Sequence, residues 1–135
     1  MNKRIIDTKV FKVLSYIFIF WIIGFFSPYS NEKEVKFHVG QGMILTVFTI
    51  IFGFFVTILN KFVVANVFVN KVLIGSGTSG KYMINQTGVY ISSSLRLLVV
   101  ITYFVFALIG IYNVIKGRDK YLPFIGKYSF INRIK

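Results

Sequence analysis

Residues 39–60 carry no charged side chain, and this feature most constrains the fold. Phe, Ile, Val and Leu dominate the tract, with Gly, Gln, Thr and Asn between them. At a rise of about 1.5 Å per residue, a helix of this length matches the roughly 30 Å hydrocarbon core of a bilayer. A small soluble domain has too much surface for its volume to bury so apolar a helix with its neighbours. The tract therefore predicts a transmembrane helix.

The rest of the chain has the same character. Of 135 residues, 56% are hydrophobic and 15% are charged, whereas a soluble domain has about 45–50% and about 25%. Tracts 10–28 and 95–115 also have the length and apolarity of a span. Segment 62–74 is shorter and contains Lys71, so an interfacial helix, a re-entrant segment and a fourth crossing all stay open. The sequence predicts one all-α polytopic membrane domain over residues 1–135, a helical bundle with three clear spans and an open fourth.

The charge is strongly basic, with 16 Lys and Arg against four acidic residues and a net charge of +12. The cations lie in polar segments beside apolar runs, which indicates contact with anionic lipid headgroups rather than nucleic acid. Three crossings would divide the basic residues evenly between the two sides, whereas four would gather most of them with both ends in the cytoplasm. We expect a cytoplasmic amino end in the bacterial cytoplasmic membrane. The basic, aromatic tail 116–135 is predicted to lie on the membrane surface.

Small and polar residues recur along one face of each of two spans. Steps of three or four residues keep them on one side of a helix, where small side chains let helices approach and hydroxyls bond across helices. We expect the two stripes to face each other, and a membrane-protein partner or a second copy of the chain to associate with the protein. The stripe residues are Gly42, Thr46, Thr49, Gly53, Thr57, Asn60, Tyr103, Ala107, Gly110 and Asn113.

No pattern in the sequence indicates catalysis. His38 is the single histidine and there is no cysteine, so a metal site with three or four ligands is not predicted. Gly75, Gly80 and Lys81 fit a phosphate-binding loop, but Tyr82 stands where a Mg²⁺-binding Ser or Thr belongs. We therefore expect no catalytic residue, no metal and no cofactor, and the protein is not predicted to be an enzyme.

Two short stretches resemble a known family. KFHVGQGMIL (36–45) heads one apolar helix, and IGIYNVIKGRDKYLPFIGK (109–127) ends another. They resemble a family of small, uncharacterised bacterial membrane proteins that is similar to the small subunit of the chloroplast inner-envelope import translocon (Tic-like import components). The motif positions are Phe37, His38, Gln41, Gly117, Leu122, Pro123, Ile125 and Gly126. Val39 stands where a small residue is usual, and residues 62–90 depart from the pattern.

The resemblance implies a helical membrane bundle whose motif-bearing ends meet at one interface. In a three-crossing bundle with antiparallel second and third spans, His38 and Gln41 would come near the turn 122–126 and cap a backbone carbonyl. The predicted function is a non-enzymatic subunit or accessory of a membrane complex, linked by family likeness to protein or peptide transport. The alternative that stays open is a self-protection (immunity) protein against a membrane-active peptide or toxin.

Overall fold

The computed structural model describes residues 3–64, 66, 69–72, 81–84 and 86–129, and these are predominantly helical. The helices are α1 (Lys3–Leu14), α2 (Trp21–Phe25), α3 (Lys33–Leu59) and α4 (Gln86–Ile115). Two of the helices described, Lys33–Phe62 and Gln86–Ile115, are long and apolar enough to cross a membrane, by length and composition.

The predicted first span, residues 10–28, is not one continuous helix. α1 ends at Leu14, a 3-10 turn covers Phe18–Phe20, and α2 has only five residues. Five helical residues extend about 7 Å, far short of a bilayer core. The structure therefore does not confirm a third spanning helix at this place.

Segment 62–74 contains a strand in its second half. After α3 a π-helical turn covers Asn60–Val64, and β1 (Val69–Val72) then pairs with β2 (Lys81–Ile84) in an antiparallel ribbon. Val69 lies opposite Ile84, and Val72 opposite Lys81. β-Branched valines favour strands, whereas the sequence-based alternatives expected a helix or a re-entrant piece. Residues 73–80, which hold Gly75 and Gly80, lie outside the described residues, as do 130–135 of the predicted tail.

The chain divides into two compact units, residues 1–50 with 102–135 and residues 51–101. In the first unit residues 3–32 fold back on themselves, and we call them the N-terminal hairpin. This hairpin packs against the first half of α3 and the last part of α4. The core around it contains Tyr16, Leu45, Ala107, Val114, Leu122 and Ile125. In the second unit a Cβ added to Gly53 would lie 3.9 Å from Val99, an ordinary contact.

Many large apolar side chains stay exposed on α3, α4 and the N-terminal hairpin. Phe54 is 68% exposed on α3, Leu108 is 64% exposed on α4, and Phe26 is 79% exposed on the hairpin. Soluble monomers rarely show apolar surface on this scale, and where it occurs it marks a membrane or a protein interface.

Candidate functional site: a polar cluster at the helix ends

A buried histidine lies where α3 begins, next to the chain that leaves α4. His38 is 1% exposed, its Nδ1 lies 2.8 Å from the Tyr16 hydroxyl oxygen, and its Nε2 lies 3.3 Å from Asp119 Oδ1. A carboxylate only accepts hydrogen bonds, so the network assigns the ring proton to Nε2 and makes Tyr16 the donor to Nδ1. His38 thus joins the N-terminal hairpin to the segment after α4.

One glutamine side chain holds both ends of the turn at residues 122–126. The Leu122 N–H donates to Gln41 Oε1 at 2.9 Å, and Gln41 Nε2 donates to the Gly126 carbonyl oxygen at 2.8 Å. The turn closes on itself through Gly126 N–H to Leu122 O at 3.0 Å. Gln41 is 0% exposed, and its amide supplies the acceptor and the donor that this backbone needs.

At two positions near the turn, the local structure favours glycine over a residue with a side chain. A Cβ on Gly126 would lie 2.3 Å from Gln41 Oε1 and 3.1 Å from Tyr121, so a side chain does not fit. Gly117 has a φ of +62° and follows the end of α4. Its N–H donates to Val114 O at 3.1 Å, and the next N–H donates to Asn113 O at 2.9 Å, the bonding of a Schellman cap.

The structure brings the two halves of the family motif together. The Phe37 ring lies 5.0 Å from the Tyr121 ring at an interplanar angle of 62°. Leu122 and Ile125 are buried in the core, on either side of Pro123. The two stretches thus meet through the bonds of Gln41 to Leu122 and Gly126 and through the ring contact of Phe37 with Tyr121.

The break between α1 and α2 is held by side chains from both long helices. The Tyr103 hydroxyl donates to Tyr16 O at 2.8 Å and accepts from Phe18 N–H. Thr46 donates to Phe18 O at 2.8 Å. Phe18 has a φ of +42°, which its β-carbon disfavours, and both of its backbone polar groups are bonded. The positive φ of Phe18 is stable here because the protein supplies partners for the hydrogen bonds of its backbone.

Small residues make room for this break. A Cβ on Gly42 would lie 1.7 Å from Ser15 O, and one on Gly110 would lie 2.2 Å from the Tyr16 ring. Ala107 is 6% exposed and belongs to the same core. Two members of the predicted stripes, Gly42 and Gly110, thus lie against Ser15 and Tyr16 of the hairpin. That the two stripes face each other stays a prediction.

The remaining stripe residues have other surroundings. Thr49 and Thr57 donate to the carbonyl oxygens of Leu45 and Gly53, both at 2.8 Å, within their own helix rather than across helices. Asn113 is 7% exposed near the end of α4. Asn60 begins the π-helical turn after α3.

Ion pairs fix the open end of the N-terminal hairpin. Lys12 Nζ lies 2.6 Å from Glu34 Oε2 with the lysine side chain 8% exposed, and Arg4 lies 2.8 Å from Glu32. The hydrogen bond and charge of Glu32 raise the pKa of the Arg4 guanidinium. These pairs tie α1 to the loop before α3 and to the first turn of α3.

A cleft of about 550 Å³ opens beside the polar cluster. It offers two ammonium groups, an amide, a carboxylate and two aromatic rings. Its lining residues are Asn31, Lys33, Lys36, Phe37, Asp119 and Tyr121, and we call it the Lys33–Asp119 cleft.

Tyr16 and Asp119 are functional partners that sequence reasoning missed. Both contact His38, yet they lie 22 and 81 positions away from it in the chain, and neither is one of the eight motif positions. The one local signal was Ser15–Tyr16, a polar pair inside an otherwise apolar run. Among the residues that the structure describes, no three His, Cys, Asp or Glu side chains gather into a metal site.

No protein-family model, curated protein or solved structure matches the chain. The resemblance to Tic-like import components therefore stays a prediction that rests on the motif residues. In the structure, the Tyr16 hydroxyl, the His38 imidazole and the Gln41 amide are buried and bonded within the chain.

Proposed function

We propose that this chain is an integral protein of the bacterial cytoplasmic membrane that crosses the bilayer twice, through α3 and α4. Only 22% of the most apolar window of each helix is buried inside the protein. A core helix of a soluble domain would be mostly buried, so lipid is the solvent that suits the remaining surface. Three crossings, which hydropathy favoured, or four, which charge favoured, would need spanning helices beyond these two.

Charge supports an orientation with both ends in the cytoplasm. With two crossings, the ribbon lies on one side and both chain ends lie on the other. Four of the 16 basic residues, at positions 61, 71, 81 and 96, belong to the ribbon side, and the other twelve belong to the terminal segments. Lys and Arg concentrate on the cytoplasmic side of short loops. Two crossings therefore reconcile the charge pattern with the long helices, as three crossings did not.

The N-terminal hairpin enters the bilayer without crossing it. Its charged end pairs Arg4 with Glu32, just before α3 begins, and its tip at Phe18 bonds to Thr46. Thr46 lies about 20 Å along α3 from Lys33 at 1.5 Å per residue. Non-helical backbone is tolerated at such depth only where protein satisfies it, as Tyr103 and Thr46 do here.

The function that this geometry supports best is that of a non-enzymatic subunit or accessory of a membrane complex. The observation that carries it is the burial of the motif side chains, with His38 1% and Gln41 0% exposed. Both bond within the chain, so they build a scaffold and do not face a substrate. The surface left for recognition is apolar, which suits a partner within the membrane. By family likeness, we place that complex in protein or peptide transport.

Cysteine labelling tests the two crossings, because the chain has no cysteine of its own. Single cysteines replace Ser30 or Ser76, or follow Lys135, and intact spheroplasts receive a membrane-impermeant maleimide. We expect labelling at position 76 without permeabilisation, and at the other two only after it. Labelling of position 30 from outside would instead establish a crossing by residues 10–28 and would overturn the re-entrant hairpin.

A deletion strain tests the transport role. We expect pulse-chase labelling to show slower export of signal-bearing precursors, restored by the wild-type chain. Normal export, together with a purified protein that stays a monomer in mild detergent, would contradict the proposal. Sensitivity of the deletion strain to a membrane-active peptide would favour the self-protection alternative instead.

A further inference from the structure

We propose that the Lys33–Asp119 cleft binds a zwitterionic group that carries both a phosphate and a primary amine, the chemistry of a phosphoethanolamine headgroup. The inference deepens the proposed function and rests on it, because the cleft lies at the headgroup layer only if α3 and α4 cross the bilayer. Its volume, about 550 Å³, is within the range of small-molecule sites, roughly 300–1,000 Å³.

The position of the cleft suits a headgroup. One wall comes from residues 31–37, where α3 begins, and the other from residues 119–121, which follow the end of α4. In the proposed topology both walls stand at the cytoplasmic boundary of the bilayer. A lipid beside the helices would thus bring its polar end to the level of the cleft.

Three of the lining residues suit a phosphate. Lys33 and Lys36 supply two ammonium groups, and Asn31 supplies an amide donor. Lysine binds phosphate as a point charge, and hydrogen bonds between ionised groups are about twice as strong as neutral ones.

Three other lining residues, Asp119, Phe37 and Tyr121, suit an amine. Asp119 is oriented by His38, whose Nε2 lies 3.3 Å from its Oδ1, and its side chain remains 47% exposed. The Phe37 and Tyr121 rings meet edge to face with centroids 5.0 Å apart. A carboxylate beside aromatic rings attracts an ammonium group. The same carboxylate repels a purely anionic ligand, so the cleft favours a zwitterion over phosphate alone or a phosphoglycerol headgroup.

The test uses the full-length protein in detergent and lipid titrations followed by native mass spectrometry. The probes are phosphoethanolamine and phosphoglycerol lipids with identical acyl chains, and free O-phosphoethanolamine as competitor. We expect the phosphoethanolamine lipid to bind about tenfold more tightly than the phosphoglycerol lipid, a difference of about 1.4 kcal/mol. Competition by the free compound would identify the headgroup alone as the ligand, and competition only by lipid would identify the intact lipid; both support the site.

Variants distinguish lipid binding in the cleft from non-specific electrostatic binding of lipid to a basic protein. Lys33→Gln with Lys36→Gln should lower the affinity for the phosphoethanolamine lipid about tenfold, the loss expected for one charge-assisted hydrogen bond. Tyr121→Leu should reduce the preference over phosphoglycerol. Lys33→Arg keeps the charge and should retain binding, and Lys127→Gln removes an exposed cation outside the cleft and serves as the matched control.

Two results would overturn the proposal. One is tighter binding of the phosphoglycerol lipid than of the phosphoethanolamine lipid. The other is an equal loss of affinity from Lys127→Gln and from the Lys33/Lys36 double change, with each variant unfolding at the wild-type temperature. If the cysteine labelling comes out as expected, either result would reject the headgroup site and leave the two-crossing topology intact. External labelling of position 30 would instead reject the topology on which the site depends.

Discussion

Replacement of Gln41 by leucine should release the turn at residues 122–126. The leucine keeps the volume of the side chain but leaves the Leu122 N–H without the acceptor that it uses at 2.9 Å. A buried donor without a partner costs about 1–3 kcal/mol. The Gly126 carbonyl still accepts a second, longer hydrogen bond of 3.3 Å from the Ser129 N–H. The loss of its bond from Gln41 Nε2 therefore adds only about 1 kcal/mol. The closed turn should thus lose about 2–4 kcal/mol relative to an open one.

Trypsin cleavage at Lys127 measures this loss. The residue lies in the 3-10 turn that follows, so cleavage requires the segment to open. When opening and closing are fast, the cleavage rate follows the population of the open form. A change of about 2–4 kcal/mol raises that population about 30-fold to 700-fold. Intact mass spectrometry of the detergent-solubilised protein would follow the loss of the tail.

Two further variants give this experiment its controls. Thr49→Val removes a hydroxyl that bonds only within α3, so cleavage at Lys127 should not change. Gly126→Ala should reproduce the effect of Gln41→Leu, because its Cβ would lie 2.3 Å from Gln41 Oε1. If Gln41→Leu cleaves within about twofold of the wild-type rate, the two hydrogen bonds do not hold the turn, and the reasoning fails.

Four other changes, three in the first unit and one in the second, are tested by thermal unfolding in detergent. Gly42→Ala should destabilise the protein by about 1–3 kcal/mol or more, because its Cβ would lie 1.7 Å from a backbone oxygen. Gly53→Ala should instead stabilise the protein by up to about 1 kcal/mol. Equal effects of the two variants would contradict the close approach of α3 to the hairpin. Tyr103→Phe should lower stability by about 1–3 kcal/mol through the bonds lost at the α1–α2 break, and an unchanged midpoint would refute that role. Arg4→Gln should leave the midpoint unchanged, since its ion pair is solvent-exposed; a large shift would show that the pair contributes more than surface pairs do.

The sequence was most informative where the signal was local. The charge-free tract predicted α3, and the apolar run before Ile115 predicted α4, because length and hydropathy are properties of consecutive residues. The approach of Gln41 to residues 122–126 followed from the family pattern together with an antiparallel arrangement of two helices. The structure adds which atoms meet there, with Leu122 as donor and Gly126 as acceptor.

The break in the helix at residues 15–18 could not be predicted from the sequence, for a physical reason. No proline or glycine interrupts the run from Val10 to Ile23, so its pattern resembles a continuous span. The cause of the break lies in Thr46 and Tyr103, distant residues whose hydroxyls bond its backbone. Asp119 escaped notice for the same reason, since its pairing with His38 depends on the tertiary fold.

The hydrogen bonds at the α1–α2 break also impose an order on biosynthesis. Phe18 uses a hydroxyl that belongs to Tyr103, 85 residues further along the chain. A ribosome therefore delivers the apolar segment that contains Phe18 long before it delivers the side chain that fixes its shape. During that interval the segment depends on the insertion machinery or on lipid, and its final conformation is reached only when α4 is translated. Residues 16–18 are thus made well before the side chain that fixes their conformation.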